Sequence, residues 1–500
     1  MPRWLRTAAV AAAVVIVVAI LVLAALALAA PSLVTAARFS TLRTDYTALR
    51  DFLQRMPKGA DLHVHLSGAV YAEDLIAWAA QKGLCISLSD LTITSGQPCD
   101  EADKRPPIAN ALKDQDLYDR IVNALSMRNF VPSAADPSGH DQFFDTFGRY
   151  GAITGRSAAE MTAERLRHYA ADAVQYAELM VSVLGSDDRR KLAATLGDEQ
   201  DFAKRLAILK GGELDAMVAR AKDQVDAIAT DVNRQLGCGA DRTPPGCAVG
   251  YRLIVQVSRT VDEREVFVQT AFAAALVKAQ PLVAGLNFVG PEDYRVARED
   301  YRAHMRMIGF LAADVPVALH AGELWLGLVP PRDLTFHIRE AVEIAGARRI
   351  GHGVTLAFEG SDALLAEMRR KSIAVEVALT SNDVILGVRG KDHPLPAYWA
   401  AGVPVVLATD DAGVSRIDLT NEYVRAARDY GFGYRDLKAI ARNSLVYSFL
   451  GALEKKAALD RFDRLADDFE HSVAVERSVF GNMAALINGP FRALTSSAAR

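Results

Sequence analysis

The sequence predicts an α/β protein, a (β/α)8 TIM barrel, on three observations. Eight short apolar runs recur along the chain, most of them near-continuous rather than alternating, as expected of strands buried on both faces of a parallel sheet. Amphipathic text of helical period, such as LTFHIREAVEIAGA and SDALLAEMRRK, separates the later runs. No GxGxxG fingerprint follows any run, which places a doubly wound open sheet second.

The first run, ADLHVHL (60–66), follows an amphipathic helix ended by Pro57 and Gly59. AVQYAELMVSV (173–183), YRLIVQVS (251–258) and PLVAGLNFVG (281–290) come next, then VPVALHAGE (315–323). ARRIGHG (347–353), SIAVEVAL (372–379) and VPVVLATDD (403–411) complete the set. Two connections are too long for a bare barrel, about 84–172 after strand one and 184–249 after strand two. Both carry helical text, so they read as helical insertions, and each holds one pair of cysteines.

The composition is that of a globular protein, 51% hydrophobic and 24% charged. A net charge of -4 and the lack of basic runs interleaved with aromatics argue against nucleic acid as a partner. Between Arg6 and Arg38 no charged residue occurs, a stretch longer than the roughly 20 apolar residues that cross a bilayer. Residues 1–38 therefore read as a transmembrane signal anchor rather than a cleaved signal peptide. Residues 39–500 form the catalytic domain, outside the cytoplasm, whether periplasmic or extracellular. Cys85, Cys99, Cys238 and Cys247 form two sequence-local pairs without zinc-knuckle spacing. Two disulfides suit an exported protein, although four cysteines allow three pairings. The sequence does not set the oligomeric state, and a homodimer is compatible with it.

Barrels of this kind collect their functional residues where strands run into the following loops. Strand one ends in His63 and His65, strand five in His320 followed by Glu323, strand six in His352, and strand eight in Asp410 and Asp411. Residues two apart on a strand face the same side, so His63 and His65 can both face the barrel mouth. With His320 and one carboxylate they would make a three-nitrogen, one-oxygen shell that suits Zn²⁺ and leaves room for water. Glu323, His352 and Asp411 then read as proton-handling groups. Each feature has a plainer meaning in isolation: HxH can sit in a turn, a buried histidine can be a core residue, and Asp-Asp can cap a helix. Their joint arrival at one end of four strands is what points to a metal. His140, His168, His304, His337, His393 and His471 lie in helical or loop text and read as structural or surface residues. Strand four has no lysine or acid before Glu292 to bridge a second metal, so one Zn²⁺ per chain is expected.

At these residues the chain resembles the adenosine deaminase family. MPKGADLHVHLSG, GPED (290–293), HAGE (320–323), GHG (351–353), TSN (380–382), TDDAGVS (409–415) and NSLVYSFL (443–450) run in family order. The MPKG opening, the insertions and HDQFFDTF (140–147) look closer to the secreted, growth-factor-related branch. The resemblance implies a zinc-dependent hydrolysis of adenosine, and of 2′-deoxyadenosine, to inosine and ammonia. It implies that His63, His65, His320 and Asp410 bind zinc and that Glu323 protonates purine N1. His352 would orient and deprotonate the attacking water, Asp411 would bond N7, and the backbone at Gly290 would contact N3. Compact members usually have an acid where this sequence has Ser67, and it holds the ribose 5′-hydroxyl. Serine offers one hydrogen bond and no charge, which leaves adenine or another 6-aminopurine open as substrate. A non-catalytic barrel that binds nucleosides or a partner is the remaining alternative.

Overall fold

The computed structural model describes residues 31–96, 98–102, 104–134, 138–239 and 243–495. Among the described residues eight core strands appear, each overlapping one of the eight apolar runs: β1 (Gly59–His65), β2 (Val174–Val181), β3 (Gly250–Ser258), β4 (Val283–Val289), β5 (Ala318–Ala321), β6 (Arg349–His352), β7 (Ala374–Val377) and β8 (Val405–Leu407). They pair in parallel as two four-stranded sheets, β1-β2-β3-β4 and β8-β7-β6-β5. Single parallel bridges join the sheets at both edges, Val64 to Asp410 and Leu286 to Val317. All seven residues of β1 are buried, as a strand covered on both faces requires.

The strand interior carries a buried ionic chain. Arg349 on β6 bonds Glu178 of β2 at 2.5 Å and also bonds Glu376 of β7, whose other oxygen lies 2.6 Å from His63 Nδ1. A buried arginine without both carboxylates would be costly, so these groups tie three strands in one register. Asp61 of β1 accepts from Thr409 Oγ1 at 2.6 Å and from the Tyr169 hydroxyl at 3.0 Å, fixing the end of β8 against β1.

The two long connections fold as helical insertions. The first holds a short hairpin with a Cys85–Cys99 disulfide, then α1 (His140–Thr154) and α2 (Ala158–Ala171). The second ends in the long helix α3 (Glu213–Leu236), after which Cys238–Cys247 closes the turn into β3. Of the three connectivities open to four cysteines, the one that joins each sequence-local pair forms.

The transmembrane anchor expected over residues 1–38 falls largely on residues 1–30, outside those described. Among the described residues no helix is long and apolar enough to cross a membrane. Residues 31–42 are helical and pack on the body. Thr35 and Phe39 are buried there, with the Phe39 ring 5.7 Å from Phe52 and 6.3 Å from Tyr434. The body therefore begins before residue 39.

Candidate active site

His63 and His65 project from the end of β1, and their Nε2 atoms each lie 3.0 Å from Nε2 of His320 at the end of β5. Asp410, just past β8, places Oδ1 3.6 Å from His63 Nε2 and 3.3 Å from His65 Nε2. The four donor atoms lie within 4.8 Å of one another.

The opposite edge of each ring is held by an oxygen. His63 Nδ1 meets Glu376 Oε2 at 2.6 Å, His65 Nδ1 meets Gln256 Oε1 at 2.7 Å, and His320 Nδ1 meets Asn287 Oδ1 at 2.9 Å. These oxygens only accept, so each Nδ1 carries the proton and each Nε2 directs a lone pair inward. Three lone pairs and a carboxylate oxygen converging on one point repel one another unless a cation sits between them. Asp410 Oδ1 is buried and has no hydrogen-bond partner. A tetrahedral site with metal bonds of about 2.0 Å separates its ligands by about 3.3 Å, within the spread observed here. The residues fit a metal. Burial, with His63 and His65 as neighbours, pushes His320 well below the ordinary imidazole value, and burial also lowers His65. Burial opposes charge on His63 too, but Glu376 outweighs it and raises that ring. A cation at the centre would take the place of the extra proton.

Two glycines of the sequence motifs are set by close approach. A Cβ on Gly68 would stand 1.7 Å from Asp411 Oδ1, and one on Gly351 would stand 2.5 Å from His63 Cε1.

A second cluster borders the first. Glu323 follows β5, and its Oε1 lies 3.5 Å from His352 Nε2. Burial, reinforced by the charge of Asp410, raises the Glu323 carboxyl well above the ordinary range, which favours its protonated form. The same two causes raise Asp411. The Glu323 backbone is fixed by Glu292, which accepts from the N–H of Gly322 at 3.0 Å and of Glu323 at 2.7 Å. Burial pushes the Glu292 carboxyl up, but Arg259 and His337 outweigh it and hold it at about 2.

His352 is held in one tautomer by a relay. The backbone N–H of Leu395 donates to His393 Nδ1 at 3.1 Å, so the proton of a neutral His393 must sit on Nε2. That proton goes to Asn382 Oδ1 at 3.0 Å, which turns the Asn382 amide nitrogen toward His352 Nδ1 at 2.9 Å. Burial lowers both rings to about 3, so both are neutral, and His352 presents Nε2–H to the site. This atom has no partner of its own. An Nε2–H can orient an attacking oxygen by donation, but it cannot accept that oxygen's proton, so the base role expected of His352 does not match its tautomer. His352 and Asp410 also adopt left-handed φ of +65° and +58°, uncommon for residues with a Cβ.

A cavity of about 190 Å³ opens above these groups, lined by Ser67, Gly290, Glu323 and Asp411, with Phe143, Phe144 and Phe147 of α1 as its roof. The Gly290 carbonyl accepts from Arg259 Nε at 2.8 Å. Every residue expected at the site is thus brought to one end of the strands. Sequence reasoning missed Gln256, Asn287 and Glu376, each a lone polar residue within an apolar run, a signal that marks an inward-facing position. It also assigned His393 and His337 no part. His393 anchors the relay, and His337 bonds Glu292 at 2.5 Å.

Residues 108–465 match the family model described as Adenosine deaminase, a segment that begins beyond His63 and His65. Adenosine deaminase 2 of Sus scrofa is 31% identical over 229 residues, 44% of this chain and 43% of that protein. Adenosine deaminase 2-A of Danio rerio is 26% identical over 444 residues, 83% of this chain and 80% of that protein. Among solved structures, the N6-methyl-AMP deaminase from Arabidopsis thaliana shares the fold, with a TM-score of 0.55 at 18% identity over 84% of this chain and 99% of that one. The chain belongs to the adenosine deaminase family, and its reaction is the hydrolytic deamination of a purine.

Proposed function

We propose that the protein is a zinc-dependent adenosine deaminase that converts adenosine, and 2′-deoxyadenosine, to inosine and ammonia. One observation carries this: three inward imidazole lone pairs and an unpartnered carboxylate oxygen converge beside a buried Glu323 whose surroundings favour its protonated form. His63, His65, His320 and Asp410 would hold the metal, which supplies hydroxide at neutral pH by bringing the pKa of water to about 7. Glu323 would give its proton to purine N1, and that transfer makes C6 electrophilic enough for water to attack. His352 donates its Nε2–H to the attacking oxygen and fixes its approach. Asp411, with Oδ1 unpartnered, is the hydrogen-bonding group for N7, and the Gly290 backbone faces N3. The three phenylalanines cover the base and exclude water. The C6–N bond then breaks: one proton of the attacking water replaces the one Glu323 gave to N1, and the other passes to the leaving amine, which departs as ammonia and leaves the C6 carbonyl.

Ser67 favours a second reading, deamination of adenine or another 6-aminopurine, because no acid stands at its position to hold a sugar hydroxyl. We further infer that the two sheets close as a (β/α)8 barrel, which the Val64–Asp410 and Leu286–Val317 bridges support. The two disulfides support a location outside the cytoplasm. The test is ammonia release from adenosine, deoxyadenosine and adenine, before and after chelation and after return of zinc. Adenosine turnover that follows the metal is expected. A zinc-loaded preparation inert toward adenosine would refute the proposal.

A further inference from the structure

The cavity over the reactive groups is too small for the whole of a nucleoside. Small-molecule sites usually measure about 300–1,000 Å³, and this one measures about 190 Å³, room for a base but not for a base and its sugar. The rest of the substrate must therefore leave the cavity on one side. Ser67 and Gln256 mark that side, because both also line a second cavity of about 700 Å³.

Three elements outside the core strands wall this second chamber. Gly155, Met161 and Thr162 border it from the α1–α2 connection and α2, Val183 and Leu184 from the loop after β2, and Ile228 from α3. Among the described residues that line it, none is ionisable. At the neck, Gln256 is fixed by two bonds, Oε1 to His65 Nδ1 at 2.7 Å and Nε2 to Ser182 Oγ at 2.9 Å. It cannot swing to meet different substrates, and Ser67 supplies a hydroxyl beside it.

We infer that the chamber is a subsite for an uncharged, largely apolar 5′-substituent on a purine nucleoside. The inference rests on the proposed nucleoside deamination. With the purine placed by Glu323 and Asp411, the sugar passes the neck, and the chamber beyond holds far more than a hydroxymethyl group. A phosphate there would be buried without a cation, which is costly. An alkyl or alkylthio group would bury apolar surface against Met161, Leu184 and Ile228, at roughly 25 cal/mol per Å².

The full-length, zinc-loaded protein tests this with four substrates: adenosine, 5′-butylthio-5′-deoxyadenosine, AMP and adenine, compared by kcat/KM for ammonia release. The butylthio nucleoside should exceed adenosine at least tenfold, and AMP should fall at least tenfold below it. Adenosine turnover equal to or better than that of the butylthio compound overturns the chamber assignment and leaves the deaminase reading intact. Deamination of adenine with no nucleoside turned over overturns both. Val183→Trp, which fills the chamber from a loop, should lower the butylthio-to-adenosine ratio at least tenfold. An unchanged ratio in a variant with the parent's circular dichroism and melting temperature also overturns it. Ile228→Ala, which enlarges the chamber, should keep or raise the ratio, and a tenfold fall would count against the assignment.

Discussion

The floor and the roof of the active site are built in opposite ways. The floor rests on strand ends: His63, His65 and His320 have their far nitrogens held by Glu376, Gln256 and Asn287, and the three rings are buried beneath the mouth. The roof comes from the first insertion, where α1 lays Phe143, Phe144 and Phe147 over the cavity. It is latched by His140, whose Nε2 lies 3.1 Å from Asp293 in the GPED turn, and by Gly139 N–H on Val384 O at 2.7 Å. On the proposed reading the floor is preorganised for the reaction, and the roof and side chamber would select what enters. Changes to the floor should therefore cost kcat, and changes to the roof should cost KM.

The largest expected effect is on the floor. His320→Ala removes the ring that touches both other imidazoles, so metal content should drop below one per chain by elemental analysis and turnover should be lost. Glu323→Gln should keep the metal and lose about 10²–10⁴ in kcat, the usual range for a positioned acid. Wild-type turnover in that variant would refute the role of Glu323. Next comes the relay: His393→Leu frees Asn382 to rotate, and kcat should fall about 10- to 100-fold with KM little changed. The His352 ring proton, followed by nitrogen-15 NMR, should move from Nε2 in the parent to a tautomer mixture in the variant. A pure Nε2–H form with parental kcat would break the relay.

The roof effects are smaller. Phe144→Ala should raise KM about tenfold with kcat nearly unchanged, and a kcat loss equal to that of Glu323→Gln would erase the distinction between the two regions. The latch should also respond to pH. Burial lowers His140, but Asp293 and Asp141 outweigh it and raise it above the ordinary imidazole value. A raised histidine contributes fully below its unfolded value, about 6.5, and loses that contribution as pH climbs through the folded value. KM should therefore rise above neutral pH in the parent and stay flat in His140→Gln. A parental pH dependence in the variant would remove His140 from the latch.

The same division governs what could be read from the sequence. Strand positions and the candidate metal donors were legible because a parallel core demands apolar runs and a site demands polar residues at their ends. The oxygens behind the donors were not, because they come from other strands: Glu376 is 313 residues from His63 and Gln256 is 191 from His65. His393 carried no local signal, since its role depends on a backbone N–H two residues on and an amide eleven residues back. The roof was the least legible part. Helical period in the insertion foretold α2, but α1 was not singled out by it, and nothing in a period says which face of the body a helix will cover.

The left-handed backbone at His352 and Asp410 sets stability against activity in this protein. Each residue pays roughly 1–2 kcal/mol for a conformation that glycine adopts freely. A screen that rewards heat resistance alone has an incentive to place glycine or asparagine at 352 or 410, and each such gain would remove a group the reaction needs. Thermostabilised variants of this enzyme should therefore be sought away from those two turns, with turnover scored in every round.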